Sequence, residues 1–304
     1  MGWSLGANDA ANVIGPAVAV GALRFRVAAL LAVLLVMIGA VTIGSRGFDT
    51  YGGLGAQTLL SSFIVMLAAG ATVALMTFAG LPVSTTQAVV GAIIGSSLVS
   101  GTATFSPLPK IALSWVLAPA GSLCIAFLIL RMLTAFPRAL PHRLITHSAV
   151  AQTGLVIATC YSAFSLGANN IANVTGVYVS SGLLAPMSAA IIGSAAIGFG
   201  ILTFSKRVIH TIGSQLVQLD PTTALVVVFA AALSMNAFAM VGVPVSASQA
   251  VVGAVLGVGL ARGVRTVNGR RLGGIVSGWV GTPAVACALS AGGTALAGWV
   301  TSSI

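Results

Sequence analysis

The chain has 304 residues, of which 58% are hydrophobic and only 5% are charged, and it carries a formal net charge of +10. Together with a mean hydropathy of +1.09, this composition excludes soluble enzymes, disordered proteins and nucleic-acid-binding proteins, and it is typical of an integral membrane protein. The Lys and Arg residues fall in short gaps between apolar runs, as in the cytoplasmic loops of polytopic proteins, so we attribute the positive charge to membrane topology.

Seven apolar segments are each long enough to cross a bilayer, for which a helix needs about 20 residues. Between them lie four further apolar stretches rich in Gly, Pro, Ser, Thr and Asn, which we do not expect to be plain lipid-facing helices. The sequence therefore predicts an all-α polytopic membrane protein. In chain order, the predicted spans are residues 27–43, 57–79, 111–133, 149–166, 186–204, 222–241 and 272–300, the last being long enough to bend or turn back; the polar stretches are residues 5–23, 81–101, 167–183 and 243–260.

Two motifs occur twice in the chain. GANDAANVIG at residues 6–15 returns as GANNIANVTG at residues 167–176, with seven of ten positions identical at an offset of 161. LPVSTTQAVVGAIIG at residues 81–95 returns as VPVSASQAVVGAVLG at residues 243–257, with ten of fifteen positions identical at an offset of 162. Two motif pairs in one order at nearly one offset indicate a duplicated unit.

The duplication divides the chain into two transmembrane repeats. We assign residues 1–135 to the first repeat, residues 136–147 to a basic cytoplasmic linker and residues 148–304 to the second repeat. An apolar run at residues 149–166 precedes the second copy of the first motif, whereas only Met1 to Leu5 precede the first copy. By comparison with the second repeat, we expect a leading helix that the first repeat does not show; either translation begins upstream of Met1 or the chain is a shortened form.

The distribution of positive charge predicts how the two repeats are oriented. Five crossings per half, each motif stretch counting as one, would invert the second half relative to the first. With the linker in the cytoplasm, eleven of the thirteen Lys and Arg residues lie inside and only Arg46 and Lys110 lie outside. We therefore predict two inverted structural repeats with broken or re-entrant helices; a motif stretch that re-enters instead of crossing would change the number of spans.

The first motif offers oxygen ligands. Asn8, Asp9 and Asn12 place one carboxylate and two carboxamides within five positions, and the flanking glycines allow the helix to break. Asn8 and Asn12 are four residues apart and share one face of a helix. Oxygen ligands of this kind suit a hard cation such as sodium.

The second motif offers an anion site. Ser84, Thr85, Thr86 and Gln87 follow Pro82, and proline fits the first turn of a helix, where free backbone N–H groups and the positive end of the dipole face outward. Hydroxyls, a carboxamide and a helix N-terminus can bind a tetrahedral oxyanion without a fixed cation. The second copy repeats this pattern with Ser246, Ser248 and Gln249 after Pro244.

The paired motifs, with Trp115 and Pro119 echoed by Trp279 and Pro283, resemble the PiT family of inorganic phosphate transporters over essentially the whole chain. The resemblance implies symport of inorganic phosphate with sodium or protons, an inverted-repeat fold in the cell (plasma or inner) membrane, and a homodimer that binds no nucleic acid. By position it carries substrate or ion roles onto Asn8, Asp9, Asn12, Ser84, Thr85, Thr86, Gln87, Asn169, Asn170, Asn173, Ser246, Ser248 and Gln249, with Asp9, Asn12 and Asn173 as candidate sodium ligands.

One departure from the family pattern concerns charge. The family pattern usually has an acid in both copies of the first motif, whereas here Asp9 is matched by Asn170. We expect weaker cation binding and less repulsion toward a divalent anion. The substitution also removes an acceptor for the P–OH proton that distinguishes hydrogen phosphate from sulfate.

Other functions can be weighed against the same residues. A membrane-embedded enzyme would need a nucleophile with a His base, paired carboxylates, or His and Glu ligands inside the spans, and this chain has no Glu and no His there. We therefore expect a transporter, not an enzyme, with no cofactor other than sodium ions. A sulfate or other oxyanion permease and a passive anion channel stay open as alternatives, because the same groups could bind another anion or line a pore.

Overall fold

The structure is a computed structural model that describes residues 1–79, 83–135, 149–206, 208–209, 220–263 and 269–303. The predicted linker, Pro82 and residues 264–268 lie outside these residues. In the part described, the chain folds into twelve α-helices, and seven of them are long and apolar enough to cross a membrane. The predicted all-α polytopic fold is confirmed. The helices are α1 (Gly2–Val13), α2 (Gly15–Ala19), α3 (Phe25–Thr42), α4 (Phe48–Gly52, after a 3₁₀ helix at Gly44–Gly47), α5 (Leu59–Phe78), α6 (Thr85–Val99), α7 (Leu108–Ala135), α8 (Ala149–Ser180), α9 (Pro186–Thr203), α10 (Pro221–Met240), α11 (Ala247–Ala261) and α12 (Gly269–Ser302).

Three pairs of corresponding helices in the two halves have equal lengths. Helices α3 and α9 each have 18 residues, α5 and α10 each have 20, and α6 and α11 each have 15. Their first residues lie 161 or 162 positions apart, which are the offsets of the motif pairs. The duplicated sequence therefore produces a duplicated series of helices.

Two helical hairpins carry the copies of the second motif. In the α5–α6 hairpin, the Thr104 amide donates to the Leu54 carbonyl at 3.1 Å, and Gln57 Nε2 donates to Ser97 Oγ at 2.9 Å. In the α10–α11 hairpin, the Arg262 guanidinium forms an ion pair with Asp220. Each hairpin therefore returns to the end of the molecule at which it began.

Glycines allow each hairpin to pack tightly against a long helix of the other half. Helix α6 crosses α12 where a Cβ on Gly91 would lie 2.2 Å from the Pro283 carbonyl oxygen. Helix α11 crosses α7 in the same way, with a Cβ on Gly253 lying 2.1 Å from the Pro119 carbonyl oxygen. Close backbone contact through small residues is how helices associate in membranes, and it fixes the positions of α6 and α11.

The two copies of the first motif differ in helix continuity. In the first copy, α1 ends at Val13 and α2 restarts at Gly15 with Pro16 in its first turn. The second copy lies within the uninterrupted helix α8, so the expected break occurs in the first half only. The physical reason is that Val177 stands where the first half has Pro16. Helix α12 is likewise continuous through Pro283 and does not turn back.

Candidate functional site

The four motif stretches meet in the interior of the protein, where the N-termini of α6 and α11 face each other. Thr86 Oγ1 donates to the Val245 carbonyl at 3.1 Å, and Ser248 Oγ donates to the Val83 carbonyl at 3.0 Å. The two contacts correspond to each other in the duplicated sequence. Each joins the second residue of one short helix, α6 or α11, to the residue that precedes the N-cap of the other. The start of each short helix is thus held by the opposite half.

Both short helices begin with a serine cap. Ser84 Oγ accepts from the Gln87 amide and Ser246 Oγ accepts from the Gln249 amide, each at 3.3 Å. Capping by serine marks two true helix N-termini, where backbone N–H groups and the helix dipole favour an anion. The prediction that proline lies in the first turn of the helix is wrong for α11, because Pro244 lies two residues before the Ser246 cap.

The two glutamines of the second motif carry unpaired polar atoms. Gln87 is 4% exposed and Gln249 is 2% exposed, and the Oε1 atom of each has no hydrogen-bond partner among the described residues. A buried polar group without a partner costs about 1–3 kcal/mol, so such atoms mark places where a ligand or water is bound. Because the oxygen and nitrogen of a carboxamide exchange by rotation, each glutamine can present N–H donors to an anion.

The carboxylate of the first motif lies in an oxygen-rich cluster. Asp9 is 1% exposed; its Oδ1 accepts from Asn8 Nδ2 at 2.7 Å and its Oδ2 accepts from Thr85 Oγ1 at 3.0 Å. Thr77 Oγ1 donates to Asn8 Oδ1 at 3.2 Å. Carboxylate, carboxamide and hydroxyl oxygens together are the ligands that hard cations prefer.

The second copy of the first motif forms a network of amides. Asn170 Oδ1 accepts from Asn169 Nδ2 at 3.2 Å and from Asn173 Nδ2 at 2.6 Å. Asn173 Nδ2 also donates to Thr86 Oγ1 at 3.0 Å. Asn169 pairs with the Val245 backbone in both directions, accepting from its amide at 3.0 Å and donating to its carbonyl at 2.6 Å. The network therefore ties α8 to the tips of both hairpins.

Two site residues were not predicted from the sequence. The Tyr51 hydroxyl, on α4, donates to Asn173 Oδ1, and burial raises the pKa of Tyr51 above its ordinary value, so the hydroxyl keeps its proton. Thr77 lies near the end of α5, a segment that the sequence marks only as a span. Both residues lie outside the repeated motifs, so their types and spacing gave no signal.

One predicted residue stands apart from the others. Asn12 is half-buried, and none of the described residues hydrogen-bonds its side chain. Its counterpart Asn173 lies at the centre of the amide network. The remaining predicted residues lie buried around the hairpin tips: Asn8, Asp9, Ser84, Thr85, Thr86, Gln87, Asn169, Asn170, Asn173, Ser246 and Gln249, with Ser248 partly buried beside them.

The chain is similar to known proteins over nearly its whole length. The sequence profile of the phosphate transporter family matches residues 5–290. A provisionally named phosphate permease of Thermococcus kodakarensis is 28% identical over 96% of this chain and 93% of its own length. Another from Methanocaldococcus jannaschii is 29% identical over 93% of this chain and 89% of its own length.

A solved structure described as the sodium-dependent phosphate transporter superposes with a TM-score of 0.83 at 26% identity, covering 100% of this chain and 96% of the other. The resemblance drawn from the motifs is confirmed, as is the expectation of a transporter and not an enzyme. The described helices agree with a multi-pass integral membrane protein. The chain belongs to the phosphate transporter family.

Proposed function

We propose that this phosphate transporter is a sodium symporter of the cell membrane and that the anion binds between the N-termini of α6 and α11. The observation that carries the proposal is the pair of buried, unpaired carboxamide oxygens on Gln87 and Gln249, one beside each capped helix N-terminus. A tetrahedral anion between the two helix ends would accept hydrogen bonds from both glutamines, once each carboxamide rotates to present its N–H donors, and from the backbone donors of both first turns.

Charge balance favours a co-bound cation. Every Lys and Arg whose burial the structure describes is exposed, and none of them hydrogen-bonds the buried motif residues; Arg46, which reaches the turn between α10 and α11, donates to the Met240 carbonyl there. Two helix N-termini together supply a charge equivalent to about one positive elementary charge, and the nearby Asp9 carboxylate opposes it. A sodium ion at Asp9 restores the balance in a site of low dielectric, where an uncompensated anion is costly.

We place this sodium in the oxygen cluster of the first half. Asp9 supplies the carboxylate, and the oxygens of Asn8, Thr77 and Thr85 stand beside it. Asn12, which has no described side-chain partner, stays a candidate ligand. Asn173 is a weaker candidate than we expected, because its described hydrogen bonds join it to the neutral partners Tyr51, Thr86 and Asn170 and none joins it to the Asp9 carboxylate. Sodium is preferred to protons because the solved relative is described as sodium-dependent.

We also propose that the halves, residues 1–135 and 148–304, have opposite orientations in the membrane. Arg46 donates to the Met240 carbonyl at 3.1 Å, and Thr50 donates to the Gly242 carbonyl at 2.6 Å, so the segment before α5 touches the turn between α10 and α11. The two hairpins meet at their tips, where Thr86 contacts Val245 and Ser248 contacts Val83, which is the arrangement expected if they enter the membrane from opposite sides. Because each hairpin returns to its starting end, this argument holds whether or not α6 and α11 cross completely. The homodimer implied by the resemblance stays a prediction.

Uptake by purified protein in proteoliposomes tests the proposal. We expect labelled phosphate to accumulate against its gradient when sodium is higher outside, and to stop accumulating when a sodium ionophore dissipates the sodium gradient. A potassium gradient of the same size is the control. Uptake that only equilibrates phosphate would instead indicate a passive anion channel.

The nearest alternative substrate is sulfate, since both anions are tetrahedral. Excess sulfate should leave phosphate uptake nearly unchanged if the site uses the P–OH proton, because sulfate has no such proton at neutral pH. Equal competition by sulfate and unlabelled phosphate would instead make the protein a general oxyanion permease.

A further inference from the structure

The two copies of the first motif differ in their surroundings as well as in the acid itself. The offset of 162 that relates α5 to α10 and α6 to α11 places Thr77 opposite Ala239 and Thr85 opposite Ala247. The two threonine hydroxyls that complete the cluster at Asp9 are thus replaced by methyl groups where the second half has Asn170. Loss of the carboxylate and of both hydroxyls at matching places is a coordinated change in one cluster.

The carboxamide oxygens that remain in the second copy already accept hydrogen bonds. Asn169 Oδ1 accepts from the Val245 amide at 3.0 Å. Asn170 Oδ1 accepts from two carboxamides, at 2.6 and 3.2 Å, and Asn173 Oδ1 accepts from Tyr51. A cation in this place would meet no negative charge and would have to displace these donors, whereas a hard cation takes about six oxygens in its coordination shell.

The second copy offers a free donor instead. Asn170 is 0% exposed, and its Nδ2 has no hydrogen-bond partner among the described residues. Its orientation is fixed by the network, because exchanging its oxygen and nitrogen would direct the N–H groups of Asn169 and Asn173 at another N–H group. The neighbouring Asn169 holds Val245, the residue before the Ser246 cap, so the free donor stands beside the tip of α11.

We propose that the protein binds a single coupling cation, at Asp9, and that Asn170 serves as a neutral hydrogen-bond donor to the transported anion. This inference rests on the proposed function, because it assigns roles within the same phosphate and sodium site. One sodium ion carried with one dihydrogen phosphate ion transfers no net charge, so transport in that form is electroneutral.

Binding of sodium alone tests the number of cation sites directly. Purified protein in detergent is titrated with radioactive sodium at saturating phosphate, and the sodium bound per protomer is counted. We expect one sodium for the wild type and none for Asp9→Asn. The double variant Asn170→Asp with Ala247→Thr restores in the second half the carboxylate and the hydroxyl that bonds it in the first half, and we expect it to bind two. Two or zero sodium ions in the wild type, or undiminished binding in Asp9→Asn, would overturn the proposal even if the double variant does not fold.

Uptake by the same preparation separates this inference from the proposed function. With one coupling cation, the sodium dependence of phosphate uptake by the wild type should have a Hill coefficient near 1, and that of the double variant should exceed 1. A Hill coefficient near 2 in the wild type would contradict the single cation while leaving sodium symport intact. Absence of sodium-driven uptake in the wild type would instead contradict the proposed function.

Discussion

The hydroxyl of Tyr51 donates a hydrogen bond to Oδ1 of Asn173 and so joins the short helix α4 to the amide network of the second half. Asn173 in turn donates to Thr86, at the start of α6. A residue between the first spans of one half therefore helps to position the helix N-terminus at which we place the anion, through an asparagine of the other half.

Replacing Tyr51 with Phe should therefore raise the KM for phosphate severalfold and lower the thermal stability of the purified protein. The reason is that Asn173 Oδ1 would be left buried and unpaired, at a cost of about 1–3 kcal/mol. Uptake kinetics and thermal unfolding in detergent measure the two effects. Tyr178→Phe is the matched control, because Tyr178 is a half-buried tyrosine of the helix that carries Asn173. Equal KM values in the two variants would show that Tyr51 does not position the site.

The glutamines give a prediction about the anion site. Gln87→Ala and Gln249→Ala should each lower kcat/KM for phosphate at least tenfold, about 1.4 kcal/mol, because each removes a hydrogen-bonding group from the bound anion. Both variants should still fold, since the Oε1 atoms have no described protein partner to lose. Gln57→Ala is the control, because Gln57 bonds Ser97 at the base of the α5–α6 hairpin, away from the tips. If the three variants transport phosphate equally well, the glutamines are structural.

Some residues of the site could be predicted from the sequence alone, and others could not. Asp9, Gln87 and Gln249 were predicted because they recur in repeated motifs, and a duplicated polar cluster in an apolar chain is a strong signal. Tyr51 and Thr77 were not predicted, because their roles arise from contacts between distant parts of the chain, which neither periodicity nor spacing records.

The course of the helices was also only partly predictable. The number and order of the spans follow from hydropathy, since backbone groups in lipid must be satisfied within helices. Proline decides where a helix breaks, and its effect depends on position: Pro16 starts a new helix, whereas Pro283 lies within the continuous helix α12. Helix α12 is held closely by its neighbour α6, which packs against it at Gly91.

The glycine contacts predict a sharp difference between positions of the same type. Gly91→Ala and Gly253→Ala should lower the yield of folded protein and its unfolding temperature, because the added Cβ would lie 2.2 and 2.1 Å from a backbone carbonyl oxygen. Gly259→Ala is the control within α11, since its Cβ would meet no atom within 4 Å, and it should stabilise the helix by up to about 1 kcal/mol. Size-exclusion profiles measure the yield of folded protein, and thermal unfolding measures its stability. The same outcome for the Gly253 and Gly259 variants would contradict the packing described.

The ion pair at the base of the α10–α11 hairpin predicts a pH dependence of stability. Burial raises the pKa of Asp220, but the hydrogen bonds from Arg262 and Thr223 outweigh it and hold the pKa below its ordinary value of 3.8. A carboxylate with a lowered folded-state pKa stabilises the protein fully above its unfolded-state pKa, and the stabilisation is lost as the pH falls through the folded-state pKa.

The variant Asp220→Asn isolates this charge, because asparagine still caps a helix. The wild type should unfold at a higher temperature than the variant near pH 7, and the difference should shrink below about pH 4 and with added salt, as expected for a partly exposed pair. The exposed Asp49→Asn is the control. A difference that stays constant from pH 7 to pH 3 would show that the ion pair does not contribute.

The most direct test of sodium-coupled phosphate transport is the response of phosphate accumulation to a sodium gradient in wild-type, Asp9→Asn and Asp49→Asn proteoliposomes. Asp9 is the only described acid buried among the motifs, and it supplies the formal charge that we assign to sodium binding. We predict that the wild type and Asp49→Asn accumulate phosphate in proportion to the gradient, whereas Asp9→Asn binds phosphate without accumulating it. Equal sodium-driven accumulation by Asp9→Asn and the wild type would contradict the assignment of Asp9 as the coupling carboxylate.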